Sequence, residues 1–232
     1  MQLHQAHFNG VDYFWDGVNM TGIMQAVITS FISTGPTTIG QAFGGGFWAG
    51  QISTAGNGIA DYNLVIAPVA SGQNYNLQWK TSNTSTPGTS SVIDGPTNSA
   101  NMNNATHPAA QFCEGLTIGG FSDWYMPAKN ELEVCYYNLK PASTTNNTSS
   151  GTNTNAVPSR GSNYTSGTPA QTSATDFKYP GGTERFITYW HWSSTEASAT
   201  YAWNQYFLSG NQVYDPKTSY GLWVRAVRRV AV

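Results

Sequence analysis

The chain has 232 residues and a formal net charge of −2, and only 9% of it is Asp, Glu, Lys or Arg, against about a quarter in an ordinary globular protein. With so little charge and no basic run, the phosphate-neutralising footprint of a nucleic-acid binder is missing, while 8 Trp, 13 Tyr and 10 Phe are too many for a disordered polar chain. This length buries a core without staples, and the Ser, Thr, Asn, Gln and Gly that replace the charges suit an exposed, durable particle component better than a cytosolic enzyme.

The first 53 residues carry Asp12 and Asp16 as their only charges. Phe8, Tyr13, Phe14, Trp15 and the stretch Ile23–Ile32 make the segment apolar enough to need cover, from the rest of the domain or from neighbouring subunits. The stretch is interrupted by Gln25, Thr29 and Ser30 and is too short to span a bilayer, so membrane insertion is not expected. Residues 1–16 show no basic n-region and no apolar h-region, so export through a signal peptide is not expected either. Residues 1–45 read as an attachment or oligomerisation segment and 46–232 as the main domain.

Strands come next. Phe47–Ser53 and Tyr62–Ser71 are β-rich runs bounded by turn residues, and Leu77–Lys80 is a shorter candidate. Residues 81–104 read as a Ser/Thr/Asn/Gly/Pro loop. Two helices follow. Thr106 is the expected cap and Pro108 the first turn of HPAAQFCEGL, with Gly119-Gly120 as the stop. Pro127 opens the second, in which Leu132, Cys135 and Tyr136 share a face before Lys140 and Pro141 close it. Cys113 and Cys135 thus fall one on each helix, too few for a disulfide framework or a zinc site, and buried free thiols are expected.

Residues 141–185 are rich in Ser, Thr, Asn and Gly: either a disordered tract or an irregular insertion laid over the domain. From Arg185 onward short strands return, anchored by Trp190, Trp192, Trp203, Phe207, Trp223, Val224 and Val227. Strands, two helices, loops, then strands make an α+β protein with segregated helices. In the C-terminal basic cluster, Arg225 and Arg229 fall on one face of a strand and Arg228 on the other, a pattern of structural ion pairs. No Gly-x-Ser-x-Gly elbow, Walker loop or His-Glu-x-x-His occurs, and His4, His7, His107 and His191 are scattered. Catalysis, a metal and a cofactor are not expected.

Three motifs stand in order: GGFSDWYMPAKNELEV (Gly119–Val134), WSSTE (Trp192–Glu196) and VRAVRR (Val224–Arg229). They resemble a bacterial and phage family with a C-type-lectin-like fold, marked by the Lcl C-terminal signature. The resemblance covers Thr106 to the C-terminus and leaves the first ninety residues unexplained. The motif residues also make sense as scaffold. Asp123 can accept bonds near a helix start, Trp124 can wedge helix against sheet, and Glu131 or Glu133 can meet Arg225 or Arg228. Formylglycine-generating enzymes share such a fold but use a C-terminal cysteine pair, and no Cys follows Cys135. Calcium-bridged sugar binding needs carboxylates, whereas AWNQYFLSGNQ (Ala202–Gln212) offers only amides.

The C-terminal texture is uneven. Ala202 to Gln205, Phe207, Gly210 to Gln212, Lys217 and Trp223 alternate with Tyr201, Tyr206, Leu208, Ser209, Val213, Tyr214, Asp215, Pro216, Ser219, Tyr220 and Leu222. The second set is a paratope-like palette, in which Tyr supplies contact area at low entropy cost, and each member is reachable from an Asn codon by changing adenines alone. This resembles the variable proteins of diversity-generating retroelements. Residues 186–232 are accordingly expected to carry the ligand face, with Tyr189, His191, Ala197, Ala199 and Thr200 added to that set and Trp203, Phe207 and Trp223 beneath it. The resemblance implies a phage tail-fibre or tail-tip receptor-binding protein, resident in the virion. Its partners would be a host cell-surface protein or glycan and other phage tail proteins, and it would be a homotrimer. A bacterial surface ligand binder and a structural virion protein are the alternatives.

Overall fold

A computed structural model describes His4–Phe8, Val11–Trp15 and residues 35–232, which fall in two units, 1–37 and 38–232. In the first, β1 (His4–Phe8) and β2 (Val11–Trp15) pair antiparallel, with His4 opposite Trp15 and Phe8 opposite Val11. The Ile23–Ile32 stretch lies outside the described residues.

The second unit is an α+β arrangement of two curled, mostly antiparallel sheets with few helices. One sheet runs in the order β12 (Val227–Ala231), β5 (Tyr62–Ile66), β4 (Gly46–Ile52), β3 (Ala42–Phe43), and the short β7 (Ala156–Val157) also pairs with β4. The other runs β10 (Gln212–Pro216), β9 (Tyr201–Tyr206), β8 (Trp190–Glu196), β11 (Trp223–Arg225), β6 (Gln73–Tyr75). A single turn, α1 (Val69–Gly72), leads into β6, and the longer helices are α2 (Gly95–Ala100), α3 (Pro108–Glu114) and α4 (Lys129–Leu139). Helix α4 crosses β4 where the β4–β5 register shifts between Trp48 and Gly50. Gly50 has φ +126°, and a Cβ there would meet the Asn138 amide at 2.3 Å. That amide donates to the Ala49 carbonyl at 2.7 Å, so the bulge and the helix lock each other in place.

Several expected elements move. The strand expected at Leu77–Lys80 is instead Gln73–Tyr75, because the later carbonyls are already taken. Leu77 O accepts from the Trp192 indole at 3.0 Å and Gln78 O from the Ala109 amide at 3.2 Å. The loop expected at 81–104 contains α2, capped by Asp94, whose carboxylate accepts from Thr97 N at 3.3 Å. Helix α3 starts from His107 and not from Thr106, whose hydroxyl is spent on Asn104 at 2.6 Å. Pro127 stands just outside α4, where Glu131 accepts from Ala128 N at 2.8 Å and from the Tyr125 hydroxyl at 2.6 Å.

The ion pairs are structural, with partners other than those expected. Asp123 leaves the helix start to Glu131 and takes Arg228 in a two-pronged bond, at 2.7 and 2.9 Å. Glu131 pairs with Arg229 at 2.8 Å, and Glu133 with Arg160. Arg225 donates to the Ala67 carbonyl at 2.9 Å and pairs with Glu184 at 3.1 Å. The expected single strand through Arg225 and Arg229 is broken at Ala226, which bonds to Gly72 and Ala67 and turns the chain from one sheet into the other.

The 141–185 tract is an irregular, packed insertion. Tyr164 and Phe177 are buried with Leu132, Cys135, Tyr136 and Phe207 in one apolar core, and Tyr164 OH donates to Glu133 at 2.7 Å. A second core gathers Trp79, Met102, Ala109, Cys113, Trp124, Trp192 and Val224. Both cysteines are free and buried, and Leu132, Cys135 and Tyr136 all face inward.

Candidate recognition surface

Alternation along β9 decides what solvent meets. Tyr201 and Trp203 point to one side of the sheet, and Ala202, Asn204 and Tyr206 to the other. On the first side, Trp203 stands opposite Tyr214 of β10 and Tyr201 opposite Pro216. The rings touch: Tyr201–Tyr214 and Trp203–Tyr214 centroids are 5.4 Å apart in both cases, edge to face, an arrangement aromatic quadrupoles favour. Lys129, the first residue of α4, holds its ammonium 4.1 Å from the Trp203 ring centroid. Tyr201 is 38% and Tyr214 53% exposed.

The other side carries a separate cluster. Tyr206 stacks on its register partner Trp190 at 4.6 Å, with Tyr189 edge-on at 6.1 Å. A third aromatic pair, Tyr75–Trp223 at 4.7 Å, sits at the opposite edge, on β6 and β11. Of the expected tyrosines, Tyr201, Tyr214 and Tyr220 are therefore exposed and Tyr206 is half-buried; Tyr201 and Tyr214 form one patch and Tyr206 belongs to another.

Of the remaining expected ligand residues, Ala197, Ala199 and Thr200 are exposed, and Leu208, Ser209, Val213, Asp215, Pro216 and Ser219 are half-buried. Two are corrections. His191 is completely buried, its ring against Phe186 and Phe207 at 5.3 and 4.5 Å, because Tyr201 and His191 share a sheet side that α4 and the insertion cover farther along. Leu222 is buried in the second core. Among the expected supports only Phe207 lies fully beneath; Trp203 and Trp223 are half-exposed members of the surface itself.

The loop at 197–200 is held from below by Lys217, which is fully buried and whose ammonium pairs with Glu196. It also donates to the carbonyls of Ala199 at 3.0 Å and Thr84 at 2.9 Å, and stands over Trp79 at 4.7 Å. Burial works against ionisation of Glu196, but bonds from Lys217 and Thr86 N–H outweigh it and keep the carboxyl below its ordinary range. Burial and the nearby Lys80 and Lys217 push His107 down to about 4, so a neutral imidazole bonds to the Thr86 hydroxyl at 2.9 Å. The β9–β10 turn closes at Gly210, φ +75°, where a Cβ would strike the Tyr136 ring at 2.3 Å.

Sequence reasoning missed Lys129 as a surface residue, and its place in a helical motif concealed it. It also took Trp203 for an anchor. Alternation with Tyr201 was the available signal. Among the described residues no group of three or more His, Cys, Asp or Glu could hold a metal ion, and no helix is long and apolar enough to cross a membrane.

A family model described as the Lcl C-terminal domain matches residues 69–228. No curated protein and no solved structure matches the chain.

Proposed function

Because the chain belongs to the Lcl C-terminal domain family, we propose that it is a phage receptor-binding protein of C-type-lectin-like fold that binds a host cell-surface ligand. The observation that carries this reading is the exposed Tyr201–Trp203–Tyr214 patch, set on paired strands and braced beneath by buried polar bonds. Rigid tyrosines on a fixed backbone give contact area at low entropy cost, and a patch of this kind on an otherwise neutral polar surface is characteristic of a binding site. Two small sheets, two principal helices and long irregular connections support the lectin-like arrangement. The half-buried Tyr206, Leu208 and Ser209 between the AWNQ and GNQ segments, with exposed Tyr201 and Tyr214 flanking them, support a diversified face. A homotrimer joined to other tail proteins in the virion completes the proposal.

The test compares labelled parent protein with Tyr201→Ala/Tyr214→Ala on a panel of intact bacteria. The two rings meet only each other and Trp203 at the surface, so their loss should change stability by about 1 kcal/mol, whereas loss of a hot spot costs at least about 2 kcal/mol of binding. The double variant should therefore fold like the parent and lose cell binding. Retained binding with lowered stability would remove the site.

A further inference from the structure

On the covered side of the second sheet, His191 of β8 and Gln205 of β9 stand opposite each other in register, so their side chains leave the sheet together, about 5 Å apart at Cβ. Both are buried, at 0% and 1% exposure. The His191 ring donates from Nδ1 to the Tyr189 carbonyl at 3.0 Å. A carbonyl only accepts, so Nδ1 carries the proton and Nε2 presents a lone pair. Burial holds the pKa of the ring at about 3 and keeps it neutral. Gln205 spends its amide nitrogen on the Tyr164 hydroxyl at 3.3 Å and the Gly210 carbonyl at 3.4 Å. Neither Nε2 of His191 nor Oε1 of Gln205 has a partner among the described residues, and two acceptors do not bond to each other.

Turning the amide over does not resolve this. Oε1 would then face the Gly210 carbonyl and the Tyr164 hydroxyl, whose proton is committed to Glu133 at 2.7 Å. The neighbours hold no spare donor. Phe186 and Phe207 pack against the imidazole, and Arg225, the charge that His191 feels, is committed to the Ala67 carbonyl and to Glu184.

We propose that one water molecule is bound between these two strands, donating one O–H to Nε2 of His191 and the other to Oε1 of Gln205. Water is a small neutral molecule with two donors, and internal waters serve buried polar groups of this kind. A metal cation is the poorer fit, because one imidazole and one amide oxygen do not offset its charge among phenyl rings. The bound water closes a path across the sheet. The Tyr189 carbonyl accepts from His191 and from Phe207 N at 2.9 Å, and Gln205 reaches Gly210 in the β9–β10 turn. The water thereby ties the lead into β8 to that turn from beneath, whatever the surface above it recognises.

The test joins a high-resolution crystal structure of the full chain to nitrogen-15 NMR of its histidine rings and to urea unfolding. A density peak at about 2.7–3.2 Å from both atoms, with the His191 proton on Nδ1, is the expected result. His191→Phe and Gln205→Leu each leave the other acceptor unmet, whereas the double variant removes both. The double variant should therefore fall short of the summed single losses by about tenfold in the unfolding constant, and its peak should be gone. Additive losses overturn the inference. So does a direct bond from the Gln205 amide nitrogen to Nε2, or an anomalous-scattering peak of a metal at the site. Should the single variants fail to fold, the density and the ring proton decide by themselves.

Discussion

His191 donates from Nδ1 to the Tyr189 carbonyl at 3.0 Å, while its Nε2 is buried without a partner. Burial holds its pKa at about 3, against about 6.5 in an unfolded chain. The folded value is depressed, so its contribution is present above pH 6.5 and is lost as pH falls toward 3: the unfolded chain binds the proton and the native one does not. Stability from urea unfolding should therefore decline from pH 6.5 to pH 4, and His191→Gln should show a shallower decline. An unchanged slope would show that another group sets it. Trp124 is 1% exposed and donates to Phe121 O at 3.1 Å. Trp124→Ala should cost about 3–5 kcal/mol, read as a lowered thermal midpoint. Burial raises the pKa of both thiols, so native protein should react slowly with a thiol reagent. Denatured, unreduced protein should titrate two equivalents, and none would mean a disulfide. Trp124 and the thiols were legible in the sequence, since a large apolar residue in a motif and cysteines on helix faces have few places to go. The burial of His191 was not, because it depends on Phe186 and Phe207 arriving from elsewhere in the chain.

Helix α4 begins at a carboxylate that three separate groups share. Glu131 serves its own helix start, the Tyr125 hydroxyl and Arg229 at once. Glu131→Ala takes the carboxylate from the Arg229 guanidinium and leaves a buried hydroxyl and an amide unmet, and should cost about 3–5 kcal/mol. Glu131→Gln, which keeps an acceptor, should lose less, and equal losses in chemical unfolding would show that charge alone matters. The helix was legible from its period and from Pro127. Its arginine partners were not, because the turn at Ala226 sends Arg225 and Arg228 into different sheets. The same limit explains the misplaced strand at Leu77–Lys80: its carbonyls are claimed by Trp192 and by α3, and local β-propensity cannot register a distant indole.

At the scale of the molecule, the sheet of β8, β9 and β10 divides the aromatic surface in two. Tyr206→Ala opens a stack with Trp190 and Tyr189 on the side away from Lys129, and Tyr214→Ala opens the patch beside it. Under the proposed reading, Tyr214→Ala alone should weaken cell binding, and Tyr206→Ala should leave it within about twofold, since the residues share no partner. Equal losses from both would place the ligand across the strand edge.

The sequence by itself determined the α+β class, the two helices carrying the cysteines, the family motifs and the exposure of Tyr201, Tyr214 and Tyr220, because period, capping and composition are local properties. Tertiary structure alone decided which arginine meets which carboxylate, that residues 141–185 are packed, and that Tyr201 and Tyr214 share a patch with Lys129 while Tyr206 does not. Those outcomes depend on sheet register and on groups from far along the chain competing for the same buried bonds, and neither is written in any short window of residues.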